Sequence, residues 1–181
     1  MSNTVDFSQY EEKPALKIFN GGNAGCATNV QMSIVANEKT KDTAPDAHVV
    51  FIDSEGATLR SQGIWNLAPG ADQESVKKTV QATGRFWRAC MGETTAFPTG
   101  LSVVQVYEAI ANSGKTFDVF VAYGTTDSPS KYLKTRKYDY IQAHNPSKPL
   151  VAKTDDLMVR PQADTETETT TNTAVESELP F

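Results

Sequence analysis

A mainly β domain with helices inserted between its third and fourth strands is the fold class that three features of the sequence predict. Apolar and polar residues alternate over 28–38, 48–53 and 57–67; the apolar period then lengthens across 71–115; and alternation returns over 116–142. The Thr- and Glu-rich stretch after residue 162 has no apolar period at all.

Residues 1–14 are polar and acidic without periodicity and read as a flexible lead-in, and "ALKIF" (15–19) reads as a short strand. "NGGNAG" then brings Gly21, Gly22 and Gly25 together. The spacing is neither GxGxxG nor GxxxxGK[ST], and a strand rather than a helix follows, so a turn or bulge is favoured over a phosphate cradle. In "TNVQMSIVANE", Val30, Met32 and Ile34 share one side against Gln31 and Ser33, the pattern of a half-buried strand. "HVVFID", the turn "SEG" and "ATLRSQGIWNL" make a hairpin, with Gly63 marking a bulge.

Two helices follow. Val76, Val80, Thr83 and Trp87 recur at helical spacing, widened by Ala82, Phe86 and Cys90, and this helix ends near Gly92. Asp72 or a neighbour caps its start, and Asp72 and Glu74 lie in the first turn, where the helix dipole favours a negative charge. A second helix over 100–115 places Val103, Val106, Tyr107 and Ile110 on one face and stops at Gly114. The last hairpin runs from 116–125, with Phe117, Val119, Val121 and Tyr123 on one side, through the turn "TDSPS" to the returning strand "KYLKTRKYDYIQ" (131–142).

Three strands, a helical segment and two strands match the order of a five-stranded OB-like barrel with its helical connection between strands 3 and 4. A mixed α+β sheet fits the same order. The expected organisation is an OB-like domain over 15–145, a linker over 146–162 and a disordered acidic tail over 163–181.

Composition narrows the chemistry. Cys26 and Cys90 stand far apart, and His48 and His144 are the only histidines, so no zinc spacing or Cys/His triad spacing is legible. Asp53 and Glu55 bracket a turn, and Asp155 and Asp156 sit in the linker, so neither carboxylate pair marks a rigid catalytic site. A non-catalytic protein without metal or cofactor is expected. No apolar run approaches the roughly 20 residues of a membrane span, and a cytoplasmic protein is expected. The formal net charge of −5 hides a split, because residues 163–181 carry five carboxylates and no Lys or Arg. By contrast, Lys115–Lys153 is basic, which suggests a polyanionic partner for that region.

The returning strand carries the candidate site. Side chains of one parity, Tyr132, Lys134, Arg136, Tyr138 and Tyr140, form a row of three phenol rings and two cations. Single-stranded nucleic acid requires that mixture: rings for unpaired bases to stack on, and cations for the phosphates. Lys115 at the mouth of the hairpin and Arg60 on the third strand extend the basic surface, and Trp65 offers a further ring. Trp87 reads as core, and Arg85 and Arg88 as helix-surface charges.

The tail sharpens this expectation. Glu176, Glu178, Leu179, Pro180 and Phe181 form an acidic stretch that ends on an apolar tip. This resembles the C-terminal tails of replicative single-stranded DNA-binding proteins of bacteria and DNA phages, and "KIFNGGNAG" and "VFVAYGTTDSPSKYLKTR" resemble the compact phage versions. The tail departs from the bacterial pattern in being Thr/Glu-rich rather than Asp-rich. The resemblance implies a protein that coats single-stranded DNA during replication, recombination and repair. It also implies recruitment of replication proteins, such as polymerase or helicase-primase, through the tail, in the host cell cytoplasm if phage-encoded. An RNA-binding or RNA-chaperone OB domain is the first alternative, and a protein-interaction module without nucleic-acid binding the second.

Overall fold

The chain enters its fold through a tight turn, where a short strand is expected over 15–19. In the computed structural model, which describes residues 16–38, 43–135 and 140–151, Leu16–Ile18 are irregular and Phe19–Gly22 form a 3-10 turn. Asn20 and Gly21 have φ of 52° and 59°, a left-handed backbone that Asn and Gly adopt most readily. Three contacts fix the turn: the Phe19 ring is buried, the Tyr123 hydroxyl donates to the Gly22 carbonyl at 2.6 Å, and Asn20 N–H donates to Asp53 Oδ2 at 2.9 Å.

Among the described residues a six-stranded antiparallel sheet and two α-helices form. Strand β1 (Gly25–Ala36) pairs with β2 (Ala47–Ile52) along its C-terminal half and with β4 (Phe117–Thr125) along its N-terminal half. The change of partner falls at a bulge between Ala27 and Val30, where Asn29 has φ 57°. Ala47, Val49 and Phe51 of β2 are buried, alternating with the half-buried His48, Val50 and Ile52, as its period predicts. Asp53 closes the turn after β2 by accepting from the N–H groups of Glu55 and Ala57, so its carboxylate is a turn device. In β3 (Thr58–Ile64) the register slips between Arg60 and Gly63, placing a bulge beside the predicted glycine. A Cβ on Gly63 would come within 2.9 Å of both Pro45 and Trp65.

Helix α1 (Gln73–Met91) starts on Asp72, which accepts from Ser75 N–H at 2.9 Å, and ends on Gly92 at φ 99°. It buries Thr83, Phe86, Trp87 and Cys90 but leaves Val80 outside, although the apolar period places Val80 on the same face. Helix α2 (Val103–Ala111) is shorter than the predicted 100–115 because Ser102 and Gln105 close a capping box at one end and Asn112 caps the other. Both helices pack against the sheet, joining Ile110, Val106 and Phe86 to Val30, Phe117 and Val119 in one core.

The last hairpin is tighter than expected. Thr125 pairs with Ser128, so residues 126–127 alone make the turn and the rest of "TDSPS" belongs to β5 (Ser128–Thr135). Strand β6 (Ile141–Ala143) returns to the same side of β4. The ladder order is β3-β2-β1-β4-β5, with β6 beside β4, leaving β3 and β5 as its two ends. Those ends meet through their side chains, since the Ser61 and Thr135 hydroxyls hydrogen-bond to each other.

Candidate nucleic-acid interface

The outward face of β4 is set by simple alternation. Phe117, Val119 and Val121 turn into the core, which leaves Asp118, Phe120, Ala122 and Gly124 on the other face. On β5, Leu133 packs toward the core while Tyr132 and Lys134 point away; Tyr132 is 77% exposed. Lys134 pairs with Ala122 across the ladder, so its side chain shares the outward face.

Phe120, Ala122, Lys134 and Tyr140, with the hydroxyls of Thr125 and Ser128, line a pocket of about 320 Å³ on this face. Gly124 keeps the hairpin closed beneath it: its φ is 83°, and a Cβ there would lie 2.2 Å from the Ser128 carbonyl. The pocket offers what an unstacked base needs, a ring face, a cation and neutral hydroxyls. Phe120 escaped the sequence analysis. The signal was present, since an aromatic at Phe120 breaks the parity of the core residues Val119 and Val121.

The row expected along 131–142 requires correction at Tyr140. Register with β4 moves from Thr135 opposite Val121 to Ile141 opposite Val119, so the returning chain holds surplus residues and is two short strands, not one. Tyr140, just before β6, is only 5% exposed; its carbonyl accepts from Phe120 N–H at 2.8 Å and its ring lies 5.7 Å from that of Phe120. It therefore supports Phe120 in the pocket wall and is no exposed platform. Arg136 and Tyr138 lie outside the described residues, as do Glu176, Glu178, Leu179, Pro180 and Phe181.

The other predicted residues divide. Arg60 is exposed and pairs with Val50 on the outward face of β2 and β3. The Ser61–Thr135 hydrogen bond brings its strand edge to that of Lys134, so residues distant in sequence contribute cations to adjoining surfaces. Nearby His48 buries Nδ1 without a partner among the described residues, and burial together with the Arg60 charge lowers its pKa. Lys115 is withdrawn from the row: its Nζ donates to the Met91 carbonyl at 3.1 Å, closing the end of α1. Trp65 is half exposed but lines a different cleft, with Thr79 and Ala82 of α1 and Tyr107 of α2. Trp87 is core, as its position on α1 predicts, and donates from its indole to the Thr95 carbonyl.

Beyond the pocket the same face is sealed by polar contacts. Asp118, 1% exposed, accepts from His144 Nδ1 at 2.6 Å, Asn29 N–H at 3.2 Å and Gln142 Nε2 at 3.3 Å. Burial pushes its pKa up, but these hydrogen bonds outweigh burial and hold it below the ordinary carboxylate value. Gln142 also donates to the Lys148 carbonyl, tying down the segment that follows β6. Cys26 sits near this cluster; burial and the Asp118 charge raise its pKa, the opposite of what a nucleophilic thiolate requires. Among the described residues no group of three or more His, Cys, Asp or Glu side chains is placed to hold a metal. No described helix is long and apolar enough to cross a membrane. Comparison with protein-family models, curated proteins and solved structures gives no match to this chain.

Proposed function

We propose that this chain is a non-catalytic, sequence-tolerant binder of single-stranded DNA built on an OB-type barrel. The observation that carries the reading is the pocket lined by Phe120, Tyr140 and the exposed Lys134, with the exposed ring of Tyr132 two residues from Lys134 on β5. The barrel is supported by the order β3-β2-β1-β4-β5, by the helices between β3 and β4, and by the Ser61–Thr135 hydrogen bond between the end strands. In OB barrels the β4–β5 loop is one of the ligand-binding loops, and here it adjoins the pocket through Thr125 and Ser128.

Binding on this reading divides the labour between stacking and charge. A base stacks on Tyr132 and a neighbour enters the Phe120 pocket, while Lys134 and Arg60 neutralise the adjacent phosphates. The pocket's small hydroxyls can pair with any base edge, which suits sequence tolerance. The acidic segment Glu176–Phe181 serves to recruit replication proteins, with the apolar side chains as anchors and the glutamates steering the encounter.

Fluorescence polarisation with dT, rU and duplex oligomers at two salt concentrations tests the proposal. A salt-sensitive preference for dT over duplex is expected. A preference for rU would reassign the partner to RNA, and equal weak binding to all three would overturn nucleic-acid binding altogether.

A further inference from the structure

Helix α1 carries apolar surface that neither the sheet nor α2 covers. Val80 is 52% exposed, and Phe97 and Leu101, from the connection between α1 and α2, are 41% and 44% exposed. Two clefts of about 640 and 300 Å³ meet at Val80 and Phe97, which line both, so the surface is one continuous groove. Exposed apolar side chains that line one groove, unlike scattered ones, mark an interaction surface.

The groove has two further properties. Arg85 and Arg88, one helical turn apart, line it and make no ion pair among the described residues; Glu93 is the carboxylate in its lining. Gly84 lies between them and Val80 in the middle of α1, where glycine costs about 0.5–1 kcal/mol relative to alanine. Internal packing does not require it, because a Cβ at Gly84 would meet nothing within 4 Å. A bare backbone there leaves room for something outside the domain to approach closely.

We infer that this groove docks the segment Glu176–Phe181 of the same chain. Leu179 and Phe181 supply the apolar side chains that Val80, Phe97 and Leu101 lack as neighbours, and Glu176 and Glu178 supply charge opposite to Arg85 and Arg88. The chain between Val151 and Glu176 reaches on the order of 80 Å if extended, more than enough to pass around a domain of this size. Tethering at a ~mM effective concentration lets even a weak contact hold much of the population. The groove shares no lining residue with the Phe120 pocket, so this site stands independently of the DNA-binding reading. A docked segment is withheld from any other protein that binds it.

Amide spectra of the chain over residues 1–181 test the inference. Compared with the L179A/F181A variant, the wild type is expected to shift at Val80, Gly84, Arg85, Arg88 and Phe97, with amide exchange over 81–88 slowed about two- to tenfold. The differences are expected to be independent of protein concentration. R85E/R88E should erase them, and adding E176K/E178K to R85E/R88E should restore them. Gly84→Leu, which fills the groove, should erase them while α1 stays folded. No difference, differences confined to Arg60, Tyr132 and Lys134, or differences that vanish on dilution would each overturn the assignment, the last by making a second copy the source of the occupant.

Discussion

Asp118 and Phe120 are consecutive outward side chains of one strand, yet their surroundings are opposite. Asp118 is charged and sealed, with three donors directed at its carboxylate. Phe120 is apolar and half open, in a pocket that it shares with an exposed lysine, Lys134. The charged residue is structural and the ring is the candidate for function. What separates them is whether their bonding capacity is filled from within the fold: a buried carboxylate must be satisfied to survive, whereas a ring face left half open retains affinity for another ring.

The largest effect that would break this contrast is expected at the sealed end. Asp118→Ala leaves His144 Nδ1, Gln142 Nε2 and Asn29 N–H without their acceptor, and should cost about 2–4 kcal/mol in denaturant unfolding. DNA affinity per folded molecule should stay within about twofold. A loss of affinity without a loss of stability would move Asp118 into the site and end the distinction.

At the open end the effects should reverse. Tyr132→Ala is expected to weaken binding to dT oligomers by about 1–3 kcal/mol, the range for one stacked base, while unfolding changes by less than about 0.5 kcal/mol because the ring is mostly in solvent. Arg60→Ala combined with Lys134→Ala should lower the slope of log affinity against log salt by about 0.7 for each cation removed. An unchanged slope would place the phosphates on another face.

Acid sharpens the contrast further. Because its folded-state pKa is held below the ordinary 3.8, Asp118 contributes stability that is fully present above that value and is lost as pH falls through the folded-state pKa. Below about pH 4 the stability gap between wild type and Asp118→Asn should therefore narrow, as read by urea unfolding across pH. A gap that widens with acid would reverse the assigned sign.

Much of the fold was legible because it depends on period and punctuation. The alternation in β2, the Asp72 cap and the Gly92 stop are local signals, and the folded chain obeys them. Long-range contact decided the rest. Val80 keeps helical phase with Trp87 but is left half exposed by the described residues, and Tyr140 keeps strand phase with Lys134 but lies against Phe120, where the register with β4 has changed. Parity shows which face a side chain takes and not whether a neighbour covers it. Arg60 comes to a surface adjoining that of Lys134 through a contact between the two end strands of the sheet, which no local pattern contains.

Lys115 offers the finest distinction, because by sequence it belongs to the same basic region as Lys134. In the fold its ammonium is engaged by the Met91 carbonyl at the end of α1. From Lys115 to Ala122, the partner of Lys134, the strand runs on the order of 20 Å at ~3.3 Å per residue, beyond the ~8–10 Å over which exposed charges act at physiological salt. Lys115→Ala should therefore leave both DNA affinity and salt slope unchanged within error. It should lower stability by about 0.3–1 kcal/mol through loss of the helix-end contact. If it instead lowers the salt slope as much as Lys134→Ala does, the basic region acts as a diffuse field, and the boundary between the sealed and open ends of β4 has no bearing on binding.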